Sequence, residues 1–239
     1  MINRFKKYFK ELKQNQAALK HNQLQLFAHQ QLQAFAGVDF IPHTSWSMTP
    51  QAILHILNII VLKGCKNIIE FGSGATTLYI AKMLKQQGMG CQFVSVESDP
   101  EWKKTLERQV KAMQLEDQVT FIFAPLEKVP EKYAFESQKT WYSTEKLETA
   151  LQGYKHFDLI IVDGPFGRST PFARYSAYPF LSSKSDLTTT WFLDDTSRPE
   201  EAAIISEWQM QSGLKKQNYN RYSLLMWESA FDIIPYRLE

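Results

Sequence analysis

The chain has 239 residues, 44% of them hydrophobic and 22% charged, and its net charge is +2. That length suits one full-sized α/β domain with an extension and is short for two independent enzymes. The near-neutral charge gives no electrostatic case for nucleic acid as a partner, and two cysteines, Cys65 and Cys91, make neither a disulfide framework nor a zinc-ligand cluster.

Residues 1–36 are rich in Gln and Lys and contain no Gly or Pro before position 37. Ile2, Phe5, Phe9, Leu12 and Leu19 fall on one helical face, with Lys6, Lys7, Lys10 and Lys13 mostly off it. The pattern predicts an amphipathic helix packed on the core or on a second subunit, as in a homodimer. The alternative is peripheral membrane contact, the basic helix resting on an anionic lipid surface. Residues 1–45 are expected to form this extension and 46–239 the main domain. No signal-like apolar segment precedes them, and "ILHILNIIVL" is too short to span a bilayer, so a cytoplasmic location is expected.

"GVDFIPHTSWSMTP" reads as a loop closed by Thr49-Pro50, which starts a helix running to about Leu62. Strand-like runs then occur at 67–71, 92–97, 119–124, 157–163 and 189–193. Helical patterns fill 76–87, 100–113, a stretch near 145–152, 171–181 and 199–212. Such alternation predicts right-handed βαβ units and a mostly parallel sheet covered on both faces. "LKKQNYN" and "YSLLMWES" follow with no helix between them and predict a terminal antiparallel pair. The fold class is α/β, a Rossmann-like doubly wound domain.

Ligands of such sheets bind beyond the carboxyl ends of the strands, where strand order reverses. "IIEFGSGATT" puts Gly72-Ser73-Gly74 there, but Thr77 stands where the dinucleotide fingerprint has its third glycine. Glu70 would repel a pyrophosphate and attract a cation. S-adenosylmethionine carries a sulfonium and an ammonium and no phosphate. In "CQFVSVESDPEW", Glu97 closes the second strand, where a carboxylate can accept from two ribose hydroxyls. Asp99-Pro100 opens the next helix, whose Trp102 suits either adenine or plain packing.

"NIIEFGSGATTLYIA", "FVSVESDPEW" and "FDLIIVDGP" together resemble the successive motifs of class I S-adenosylmethionine-dependent methyltransferases, over roughly residues 46–230. The resemblance implies a seven-stranded sheet with a terminal antiparallel hairpin. It also implies cofactor contacts among Glu70, Phe71, Gly72, Ser73, Gly74, Thr76, Thr77, Glu97, Ser98 and Trp102. "SMTPQAILHILNII" is similar to the segment before the first motif, which adds Met48 and Thr49, with Ser47 beside them.

Asp163 ends one strand and Asp194-Asp195 the next, so three carboxylates converge on one edge and need a cation, a shared proton or solvation. Hard oxygen donors suit Mg²⁺ or Ca²⁺. The arrangement resembles metal-dependent O-methyltransferases of the catechol and caffeoyl-CoA type and macrocin O-methyltransferase, which implies a divalent ion on Asp163, Asp194 and Asp195. The competing reading has Asp195 capping the helix near Pro199 or pairing with Arg198. "DGPFGRSTPFARY" lacks the Asp-x-x-Lys of the catechol-type enzymes, so no catalytic Lys carries over. Its Arg168 and Arg174 suggest an anionic acceptor or are solvated arginines on a helix start, with Asp163 and Arg168 as the candidate catalytic pair. Trp141-Tyr142 suits stacking on the acceptor or packing, and His43, beside Trp46, is a candidate base. The expected activity is O-methylation of a small-molecule or glycan acceptor. The alternatives are a NAD-dependent oxidoreductase, disfavoured by Glu70 and Thr77, and a non-catalytic binding protein of the same fold.

Overall fold

A computed structural model describes residues 2–227 and 232–236, with side chains from Arg4 onward; Ile2's side chain and the end of "YSLLMWES" lie outside the described residues. Helix α1 (Ile2–Ala36) and α2 (Pro50–Lys63) precede an alternating series: β1 (Asn67–Phe71), α3 (Ala75–Gln87), β2 (Gln92–Glu97), α4 (Pro100–Ala112) and β3 (Thr120–Phe123). A two-stranded excursion, β4 (Leu126–Lys128) and β5 (Thr140–Tyr142), leads to α5 (Thr144–Ala150). The chain ends with β6 (Leu159–Val162), α6 (Ala177–Leu181), β7 (Thr190–Leu193), α7 (Pro199–Ser212), β8 (Lys215–Asn218) and β9 (Ser223–Met226).

Local chemistry sets these boundaries. Thr49 caps α2, its hydroxyl accepting from the Ala52 N–H, Pro50 takes the first helical position, and Gly64 closes the helix in the left-handed region at φ 67°. Asp99 caps α4 by accepting from the N–H groups of Glu101 (2.8 Å) and Trp102 (2.9 Å).

The seven-stranded sheet has the order β3-β2-β1-β6-β7-β9-β8, parallel except for β9, which runs antiparallel to both neighbours. Alternate residues of each central strand feed opposite cores. Ile68, Leu159, Ile161 and Phe192 pack with α2 and α3, whereas Ile69, Ile160, Val162 and Trp191 pack with Trp141, Phe180 and Trp208. The chain winds outward from β1 through β2 to β3, then returns to lay β6 on the other side of β1, so the order reverses between β1 and β6.

Three expectations change. The helix predicted over 171–181 is helical only from Ala177, because the preceding turns, with Phe172 at φ 52°, aim Arg174 inward. The small β4–β5 sheet is new; on it Trp141 is buried in packing, and Tyr142, also buried, lines the cavity at the sheet's edge. Only the last third of α1 packs on the core, through Ala28, Leu32 and Ala36; Phe5, Phe9, Leu12 and Leu19 are exposed. Leu32 and Ala36 share one core cluster with Ile53 and Ile56, so residues before position 46 contribute to the same interior.

Candidate active site

The reversal point opens into a cavity of about 710 Å³. One wall is the turn after β1. Gly72, at φ 92°, presses on the turn after β6: a Cβ there would lie 2.7 Å from the Gly164 nitrogen, so no side chain fits. Gly74 is different, since a Cβ on it meets no protein atom within 4 Å, and it borders the cavity.

Glu97 lines the same wall. Its Oε1 accepts from the N–H groups of Ser98 (2.7 Å) and Asp99 (2.8 Å), and its Oε2 accepts from the Ser73 N–H (3.2 Å). Burial pushes its carboxyl up, and those N–H groups pull against that shift. The carboxylate is thereby held rigidly, with lone pairs left over for donors in the cavity. The Trp102 indole N–H donates to the Ser73 carbonyl (2.9 Å), which fixes the ring at the cavity edge. Ser73, Thr76, Ser98 and Met48 also line the cavity.

Glu70 lies elsewhere. It is fully buried behind the turn and does not line the cavity, nor do Phe71, Thr77 or Thr49. Its Oε2 accepts from the Thr77 hydroxyl (2.6 Å) and the Ser95 hydroxyl (2.8 Å), while Thr77 Oγ1 accepts from the Gly74 N–H (2.9 Å). The acid therefore braces the glycine turn from inside, and its expected direct contact with a cationic ligand is corrected to a supporting role. Burial outweighs the two hydroxyl bonds and pushes Glu70 up to about 7. Thr77, which breaks the dinucleotide fingerprint, is the link between acid and turn.

The opposite wall comes from Pro42, residues 44–48 and the turn after β6, where Trp46 and Phe166 meet edge to face with ring centres 5.0 Å apart. Ser45, Trp46, Phe166, Gly167 and Arg198 also border a second depression, of about 540 Å³, and Arg168 belongs to that one and not to the main cavity. His43 borders neither; its Nε2 lies 3.1 Å from the Tyr79 hydroxyl, and burial with the nearby His29 holds its pKa down.

The three aspartates do converge: Asp163, Asp194 and Asp195 each offer an oxygen within 4.8 Å of the others. Their charges, however, are met by three arginines. Buried Arg174 places Nη2 3.1 Å from Asp163 Oδ1 and 3.2 Å from Asp195 Oδ2, and its Nη1 donates to the Asp194 carbonyl at 3.0 Å. Arg198 reaches Asp195 Oδ2 at 2.8 Å, and Arg221 donates from Nε to Asp195 Oδ1 at 3.0 Å. Arg221 Nη2 also lies 3.1 Å from Asp194 Oδ2, a charge contact without hydrogen-bond alignment. Burial and Asp194 push Asp163 well above the carboxylate range despite Arg174; burial pushes Asp194 up to about 6 despite Arg221.

A divalent ion would have to displace an arginine from this set. It would need several free oxygens facing one point, and the cation between Asp163 and Asp195 is already the Arg174 guanidinium. Both Asp194 carboxylate oxygens lack hydrogen bonds, but that residue is fully buried and does not line the cavity, while Asp163, which does line it, gives Oδ1 to Arg174. Sequence reasoning placed the acids but missed the roles of Arg174 and Arg221. Arg174 was visible only as a loop arginine, and Arg221, in the β8–β9 hairpin, carried no signal.

No protein-family model matches the chain, and no curated protein matches it. Among solved structures it is similar to an O-methyltransferase from Bacillus cereus in complex with SAH, S-adenosylhomocysteine, at 13% identity, with 85% of this chain and 90% of that one covered and a TM-score of 0.54. A SAH-bound methyltransferase from Podospora anserina aligns at 13% identity over 92% of this chain and 96% of that one, with a TM-score of 0.54. The O-methyltransferase of tomaymycin synthesis from Streptomyces achromogenes, in complex with SAM, aligns at 12% identity over 82% and 95%, with a TM-score of 0.52. The chain has the Rossmann-like fold of these methyltransferases.

Proposed function

We propose that the protein is an S-adenosylmethionine-dependent methyltransferase acting on a hydroxyl of a small molecule or glycan, without a divalent ion. The observation that carries this reading is Glu97, locked by three backbone N–H groups on the wall of the cavity where the sheet order reverses. A carboxylate so held suits a vicinal diol such as a ribose. Gly74 leaves room beside it, and Trp102 offers a ring face. Bound there, the cofactor supplies an electrophilic methyl group on a sulfonium.

The protein's own contribution is to hold and orient the acceptor. Asp163 lines the cavity, and Arg174 binds its Oδ1. Asp163 is the group to receive the acceptor's hydroxyl proton. Arg174 holds that carboxylate in place and offsets the charge of the neighbouring Asp195. Trp46 and Phe166 flank the opening and favour an acceptor with an apolar or ring surface. Arg168 and Arg198, on the adjoining depression, suit an anionic group at the acceptor's far end.

Calorimetric titration with S-adenosylhomocysteine and with NAD tests the cofactor. Binding of the first and not the second is expected, and the reverse refutes the proposal in favour of an oxidoreductase. Release of S-adenosylhomocysteine across hydroxylated acceptors, with and without EDTA, tests turnover. Equal rates are expected. Cofactor binding with no turnover on any acceptor would favour a non-catalytic protein of this fold.

A further inference from the structure

We propose that α1 pairs with α1 of a second copy of this chain as a parallel two-stranded coiled coil. Phe5, Leu12, Leu19 and Leu26 recur every seven residues along α1, and Phe9, Gln16, Gln23 and Gln30 interleave with them at alternating spacings of four and three. That is the seam of a heptad repeat, and it is continuous for about four heptads. All eight residues are exposed; the five apolar ones are each between 39% and 63% accessible. The core-packed residues Ala28 and Leu32 lie on roughly the opposite side of the helix, so the seam points away from the folded body.

The rims of the seam select the occupant. Lys6, Lys13 and Lys20 line one flank at seven-residue spacing, and Tyr8, Asn15 and Asn22 line the other, all exposed. In a parallel pair each lysine flank faces the neutral flank of the other copy, Lys13 against Tyr8 and Lys20 against Asn15. An antiparallel pair would set lysine against lysine. Parallel pairing also stacks Gln16 on Gln16 and Gln23 on Gln23, where the side-chain amides bond each other and fix the register, as polar residues at such positions do. A lipid surface fits less well. The apolar stripe is a narrow seam interrupted by glutamines, and acyl chains would strip water from their amides without replacing it.

Sedimentation of the full chain at micromolar concentration should show twice the 27.8 kDa chain mass. The Leu12→Glu/Leu19→Glu double variant should sediment as a single chain that still unfolds cooperatively, since both residues are solvent-exposed in the single chain, with a thermal transition that no longer depends on protein concentration. Oxidised Gln16→Cys and Gln23→Cys variants, made separately, should each form disulfide-linked dimers, which an antiparallel pair permits for at most one of them. A wild-type chain that is monomeric or of any other stoichiometry, or a dimer that survives the double substitution, overturns the proposal. So does a monomer that floats with phosphatidylserine vesicles.

Discussion

Replacing Glu97 tests the cofactor reading most directly, because the side chain's two jobs can be separated. It holds the turn through bonds from Ser73, Ser98 and Asp99, and it presents the remaining lone pairs to the cavity. Glu97→Ala removes both, and losing charged hydrogen bonds to a ligand costs about 1–3 kcal/mol. Affinity for S-adenosylhomocysteine should therefore fall about 5- to 150-fold. Glu97→Gln keeps one oxygen, enough for the Ser98 and Asp99 N–H groups, but turns an NH₂ toward the Ser73 N–H. It should lose less affinity than the alanine variant. The assay is calorimetric titration of each variant, with the thermal transition of the free protein recorded alongside. Unchanged affinity in Glu97→Ala, in a protein that remains folded, would refute the placement of the cofactor on this wall.

The two glycines of the turn should behave oppositely. Gly72→Ala combines a strained φ with a 2.7 Å approach to the Gly164 nitrogen and should destabilise by about 3 kcal/mol or more in urea unfolding. Gly74→Ala should unfold close to wild type and lose cofactor affinity, because its Cβ meets no protein atom. Arg174→Gln leaves half-buried Asp163 and buried Asp195 without their shared cation and should cost about 3–5 kcal/mol, partly restored by adding Asp195→Asn. Wild-type protein should take up no Mn²⁺ by electron paramagnetic resonance, whereas one bound ion lost in Asp163→Asn would refute the arginine-filled site.

Alternation of strands and helices was legible because the central strands are buried on both faces: β6 reads as an unbroken apolar run, and β1 and β7 read as apolar runs carrying Glu70 and Thr190. The strands β4 and β5 have three residues each, too few for a period to register. Residues 171–181 carry a helical pattern, yet the chain there is bent to serve a charge: Arg174 must reach three aspartates that meet only in the folded sheet. Pairings between residues far apart in sequence leave no local trace, and this is why the sequence offered the nearby Arg198 as a partner for Asp195 but not Arg174 or Arg221.

Glu70 shows the same limit from the other side, and its protonation offers a test. The sequence placed an acid at the strand end correctly, but a strand alternates faces, and Glu70 points to the interior, against Thr77 and Ser95. An unfolded glutamate titrates near 4.5, whereas this one is raised to about 7. Between those values the folded state holds a proton that the unfolded state has lost, so Glu70 supports folding at low pH and that support is lost as pH rises through about 7. The loss amounts to about 3 kcal/mol at most. Glu70→Gln, which mimics the protonated form, should remove it. The stability difference between variant and wild type should be small at pH 4.5 and grow in the variant's favour to a plateau above pH 7. A difference independent of pH would mean that Glu70 titrates alike in the folded and unfolded chains, and would refute burial as the force that sets its protonation.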